Sequence, residues 1–190
     1  MNLWKINFGK MLIVFLHSIV KELQNMVIQM SKILAIDQST VKTGVAIFED
    51  NKLQRYDLID LHKNKDSDKR FKNMCLELCV WIKEVKPENV VFEDVNLQTN
   101  VATLRLLAQL QGVIIGNCLL NNIPYKIYKP SSWRKLLNFK QGRGVARKEL
   151  KQQSKDYVKL HFDIDVNDDI ADAICIGQAY IEYLNKGVNK

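Results

Sequence analysis

Four acidic residues stand where an ordinary core or turn has little use for them. Asp37 closes the apolar run KILAID (32–37), and Glu93 closes NVVFE (89–93) in the same way. An exposed strand-end carboxylate is commonplace, but one that is buried and unpaired is costly. Two such acids on neighbouring strands can meet at one edge of a sheet when βαβ connections bring the strands' carboxyl ends together. Asp169 and Asp172 are three residues apart at the start of a helical pattern, so they share a face. Like charges there repel unless a cation lies between them. The helix amino end softens the repulsion, and Asp168 reads as that helix's cap. Together the four acids offer the hard oxygen shell that magnesium or manganese prefers. Two such ions about 4 Å apart can activate a water and stabilise the leaving oxygen of a phosphodiester.

Bringing together acids so far apart in sequence requires a sheet. Residues 32–37, 44–48 and 53–61 predict three strands, the first two joined by a polar turn at 38–43 and the last two by a hairpin turn at 49–51. Phe71, Met74, Cys75, Leu78, Ile82 and Val85 recur at helical spacing, and Pro87 stops that helix. A fourth strand follows at Asn89–Glu93. Residues 100–121 predict a long, almost wholly apolar helix that should be buried on most of its surface. A fifth strand is expected at 124–128, a short helix from Pro130 through Leu137, a glycine-containing loop at 138–144, and two closing helices at 145–161 and 168–184. The expectation is an α/β fold with a mixed five-stranded sheet flanked by helices, antiparallel in the meander and parallel at the crossovers.

At 190 residues the chain suits one domain. That domain is placed at 31–187, behind an N-terminal extension at 1–30. The apolar run 11–20 is too short to span a bilayer as a helix, and no small-residue cleavage site follows before Lys21 and Glu22. The extension is therefore read as an added helix, or as sequence upstream of a start at Met30, with Met26 as second choice. No membrane association is expected.

A hydrophobic share of 47% against 26% charged excludes a disordered chain. The formal net charge of +7 favours a polyanionic partner. Its distribution is more telling, because residues 126–159 hold eleven basic residues against Glu149 and Asp156. That window is a candidate phosphate-tracking face. Cys75, Cys79, Cys118 and Cys175 read as free thiols, which fits a reducing cytoplasm.

Three blocks resemble one family. ILAIDQSTVKTGVAIFED (33–50) is similar to the opening hairpin of RuvC-type Holliday-junction resolvases, with Asp37 at their first catalytic aspartate and Gly44 starting the return strand. VVFEDVNLQTNVATLRLLAQLQGVI (90–114) resembles their second block, with Glu93 at the catalytic glutamate. DIADAICIG (169–177) resembles their closing helix, with Asp169 and Asp172 at the last two catalytic acids. The blocks come in family order.

The resemblance implies an RNase H-like fold and a metal-dependent endonuclease for branched DNA, cutting as a homodimer in the cytoplasm, or in a host's cytoplasm for a phage or viral protein. It implies Mg2+, with Mn2+ as a substitute, and two ions per site held by Asp37, Glu93, Asp169 and Asp172. Lys148 matches an active-site lysine, and Arg134 or Lys135 a second basic residue near the scissile phosphate. Arg134, Lys135, Lys140, Arg143, Arg147 and Lys148 form the expected DNA-binding set. Gln38-Ser39 replaces the family's frequent Pro-Gly, and Asn96 and Leu97 occupy the stretch where bacterial enzymes commonly carry a stacking aromatic. The Gln38-Ser39 turn resembles phage or viral relatives more than bacterial housekeeping enzymes. The competing readings are a nuclease of the same fold acting on RNA–DNA hybrids or flaps, an actin-like phosphotransferase, and a DNA-binding module without catalysis.

Overall fold

Strand alternation decides which way the acids face. In the computed structural model, which describes residues 10–19, 32–95 and 100–188, five strands form one sheet. They are β1 (Ile33–Asp37), β2 (Lys42–Glu49), β3 (Lys52–Asp60), β4 (Asn89–Glu93) and β5 (Tyr125–Tyr128), in the order β3-β2-β1-β4-β5. β1, β2 and β3 pair antiparallel, while β4 lies parallel to both β1 and β5. The hairpin between β2 and β3 turns on Asp50 and Asn51, both at positive φ (53° and 62°), the conformation that two-residue hairpin turns favour.

The described residues hold six helices, α1 (Lys10–Ile19), α2 (Ser67–Val85), α3 (Val101–Leu120), α4 (Pro130–Leu136), α5 (Arg147–Phe162) and α6 (Asp168–Val188), of which α2 to α6 flank the sheet. Asp66 caps α2 by accepting from the Asp68 and Lys69 amides, and Asn100 caps α3 through Ala102 and Thr103. α1 covers most of the apolar run at 11–20 and exposes its side chains from Met11 to Leu16. The candidate starts Met26 and Met30, and also Asn96 and Leu97, lie outside the described residues.

The sheet is buried on both faces. Ile33, Ala35, Ala46, Phe48 and Val91 face α4, α5 and α6, in one core with Trp133, Val158 and Ile174. Leu34, Ile36, Val45, Val90 and Phe92 face α2 and α3, in a second core with Met74, Leu78, Leu110 and Ile114. With a period of two, Asp37 continues the row of Ile33 and Ala35, and Glu93 the row of Val91. Both carboxylates therefore belong to the α4–α6 side. Small residues let α6 lie close to the sheet there: a β-carbon on Gly177 would sit 2.3 Å from the Phe48 ring.

Two expectations need correction. α3 is not buried on most of its surface. It is long and apolar enough to cross a membrane by length and composition, yet only Leu110, Ile114 and Cys118, one stripe at i, i+4 and i+8, are fully covered. A helix on the outside of a sheet has one face to bury, whatever its other faces are made of. Val101, Leu119 and Leu120 remain exposed. Nor is Asp168 the cap of α6. The Asn167 side chain accepts from the Ile170 amide, which makes Asn167 the cap, while Asp168 is ion-paired with Lys151.

Candidate active site

Parallel pairing of β1 with β4 sets Ile36 beside Phe92, so the next residue on each strand, Asp37 and Glu93, ends its strand at the same sheet edge. Antiparallel pairing sets Asp37 opposite Gly44 on β2. The first turn of α6 rests on Gly44, where a β-carbon would lie 2.0 Å from the Asp169 carbonyl oxygen. That close approach brings Asp169 and Asp172 to the two strand ends. All four acids line one cavity of about 730 Å³, together with Gln38, Arg70, Arg134, Arg147 and Lys151.

Crowding is legible in their protonation. Burial, followed by repulsion from Asp172, Glu93 and Asp169, holds the Asp37 carboxyl well above the usual range. Burial also raises Glu93, with the Trp133 hydrogen bond and Arg134 opposing it. Asp169 and Asp172 are raised by burial too, against Lys151 for the first and against the Ser154 hydroxyl, Arg134 and Lys151 for the second. Four carboxylates that resist sharing negative charge suit a divalent cation by donor chemistry. Among the described residues, however, no three acidic, His or Cys side chains are drawn together tightly enough to enclose one ion. The four acids line the cavity wall as oxygen donors.

The basic residues divide by location. Arg134 on α4 and Arg147 on α5 line the cavity, whereas Lys135, Lys140, Arg143 and Lys148 are exposed outside its lining. Lys148, the match to the family's active-site lysine, is exposed and lies outside the cavity lining. The cause is helical phase: Arg147 and Lys151 are four apart on α5 and share the inward face, while Lys148 is turned about 100° from Arg147. Lys151 is the lysine in the cavity, held by Asp168 at 2.9 Å. Its spacing from Arg147 was a usable signal in the sequence.

Other neighbours had no such signal. Trp133 Nε1 donates to Glu93 Oε2 at 2.8 Å, Ser154 Oγ donates to Asp172 Oδ1, and Gln38 Nε2 donates to the Glu93 backbone carbonyl at 3.0 Å. Gln38 thereby ties the end of β1 to the end of β4 at the position where the family often has proline.

Residues 33–179 match the family model for crossover junction endodeoxyribonuclease RuvC. The chain belongs to the RuvC family. It is 30% identical over 152 residues to the RuvC of Brachyspira hyodysenteriae, covering 77% of this chain and 91% of the relative. It is 28% identical over 156 residues to the RuvC of Caldicellulosiruptor saccharolyticus, covering 79% and 92%. Among solved structures, Thermus thermophilus RuvC in complex with a Holliday junction substrate matches with a TM-score of 0.63 at 14% identity, covering 83% of this chain and 97% of that one. The yeast mitochondrial Holliday junction resolvase matches with a TM-score of 0.54 at 13% identity, covering 91% and 93%. The architecture is thus the RNase H-like α/β fold of RuvC proteins, as the three sequence blocks implied.

Proposed function

We propose that this chain is a metal-dependent endonuclease that hydrolyses phosphodiester bonds at four-way DNA junctions. One observation carries the reading: acids from three distant segments line a single cavity that also presents Arg134, Arg147 and Lys151. Asp37, Glu93, Asp169 and Asp172 would hold magnesium, with manganese as a substitute and two ions per site. Bound ions supply an activated water and take up charge on the leaving oxygen.

The chain's own cations do the rest. Arg134 and Arg147 offer planar forks that can donate to the non-bridging oxygens of a phosphate in the cavity. There they stabilise the charge that builds as the bond breaks. Lys151, steadied by Asp168, adds a third positive group at the same mouth. Lys135, Lys140, Arg143 and Lys148, exposed beyond the cavity, hold the flanking backbone and position the strand without reading its sequence.

A junction presents two strands of like polarity, so symmetric nicking calls for two active sites and a homodimer. The exposed Leu119 and Leu120 of α3 offer apolar surface for a second copy. A cytoplasmic setting agrees with four free cysteines.

Incubation with four-way, three-way, flap and linear duplex DNA, and with an RNA–DNA hybrid, in magnesium tests the reading. Paired nicks confined to the four-way substrate are expected. Equal or faster cutting of the hybrid or flap would transfer the assignment to a general RNase H-fold nuclease.

A further inference from the structure

Two of the four acids are tied to donors that come from outside the acidic set. Trp133 Nε1 lies 2.8 Å from Glu93 Oε2, and the Ser154 hydroxyl donates to Asp172 Oδ1. Both donors are wholly buried, at 0% exposure. A buried indole N–H and a buried hydroxyl must each find an acceptor. Here each is satisfied by a carboxylate at the site. The terminal torsion of a glutamate or aspartate is broad and roughly two-fold, so fixing one oxygen fixes the plane in which the group can meet a cation.

The donors belong to the same two helices as the cavity cations. Trp133 precedes Arg134, whose guanidinium lies 4.7 Å over its ring. Ser154 follows Arg147 and Lys151 at i+7 and i+3 on one face of α5. Phe139, at the start of the basic loop, packs edge-on against Trp133 at 5.7 Å. α4 and α5 thus carry both the cavity cations and the two donors that hold Glu93 and Asp172.

We propose that Trp133 and Ser154 are positioning residues that orient Glu93 and Asp172 for metal, so that α4 and α5 set the metal affinity of the site. This rests on the metal-binding role given above to the four acids. Outer partners of this kind are worth about 10- to 100-fold in metal affinity. A tryptophan that only fills the core would leave metal binding unchanged when its N–H alone is removed.

The test is calorimetric titration of Mn2+ into the full chain without DNA. Ser154→Ala removes one donor. Site-specific replacement of Trp133 by benzothienylalanine puts sulfur in place of the N–H and nearly keeps the ring's shape. Trp133→Phe is the simpler variant, and the benzothienyl protein decides if it fails to fold. We expect Mn2+ affinity to fall about 10- to 100-fold in both donor-deleted proteins. Melting temperatures should stay close to wild type, and junction binding in EDTA should be unchanged. Cleavage should need correspondingly more Mg2+ and approach the wild-type rate at saturation. Wild-type Mn2+ affinity in both folded variants would overturn the inference. Glu93→Gln in the same titration separates the two claims: if it too binds Mn2+ as wild type does, it is the metal-binding role of the acids that fails.

Discussion

The backbone of Asp169 rests directly on Gly44, leaving no room for even one carbon atom: a β-carbon on Gly44 would lie 2.0 Å from the Asp169 carbonyl oxygen. Gly44 is also the register partner of Asp37, so one missing side chain sets the separation of two acids that belong to different blocks of sequence. Gly44→Ala should push the start of α6 off the sheet. Overpacking of this kind costs about 1–3 kcal/mol, read as a lower melting temperature, and cleavage should fall by at least tenfold because misplaced groups lose more rate than stability. Wild-type cleavage in Gly44→Ala would show that α6 need not sit so close for the acids to work.

Asp37→Asn, Glu93→Gln, Asp169→Asn and Asp172→Asn keep shape and remove charge. Each should lower junction cleavage in Mg2+ by orders of magnitude while binding in EDTA persists or tightens, since less negative charge faces the phosphates. Asp168→Asn should have a smaller effect, through its ion pair with Lys151. Retention of the wild-type rate by Asp37→Asn in a gel-based nicking assay would remove the assigned site.

The raised carboxyls make opposite predictions for stability and for activity. Burial and mutual repulsion lift Asp37 well above its ordinary value near 4, and lift Glu93, Asp169 and Asp172 in the same direction. A group whose folded pKa exceeds its unfolded one binds more protons when folded. Metal-free stability therefore declines as pH rises from the ordinary carboxylate range through the raised values. Metal binding needs the deprotonated forms, so activity should climb over that same window, and more Mg2+ should move the climb to lower pH. In EDTA at neutral pH, Asp37→Asn should melt a few degrees higher than wild type. A lower melting temperature would mean that the charge is compensated in the folded chain.

Cavity and surface cations should separate in kinetics. Arg134→Ala, Arg147→Ala and Lys151→Ala should reduce the cleavage rate at saturating DNA, because these residues line the cavity. Lys140→Ala, Arg143→Ala and Lys148→Ala should chiefly weaken binding and flatten the salt dependence by about 0.9 in log–log slope per lost phosphate contact. A Lys148→Ala chain that binds normally but cuts far more slowly would return the catalytic role to Lys148.

Much of this was legible in the sequence alone, because the signals are local. Short continuous apolar runs in 33–37 and 89–93 give strands, and each ends in an acid. Three-residue spacing puts Asp169 and Asp172 together on any helix, and the family-like blocks name their order. What the sequence could not supply was everything that depends on how elements turn against one another. Lys148 and Lys151 are two lysines three residues apart on one helix, and only the docking of α5 beside α6 decides that Lys151 reaches the cavity. α3 is almost wholly apolar in sequence, and only its place outside the sheet leaves Leu119 and Leu120 uncovered. Trp133 and Glu93 are forty residues apart, and their hydrogen bond exists because α4 packs against α6 and so brings the Trp133 ring to the end of β4. Periodicity fixes the face of an element relative to its own axis, whereas the phase of that axis against its neighbours is set by the burial of both cores at once.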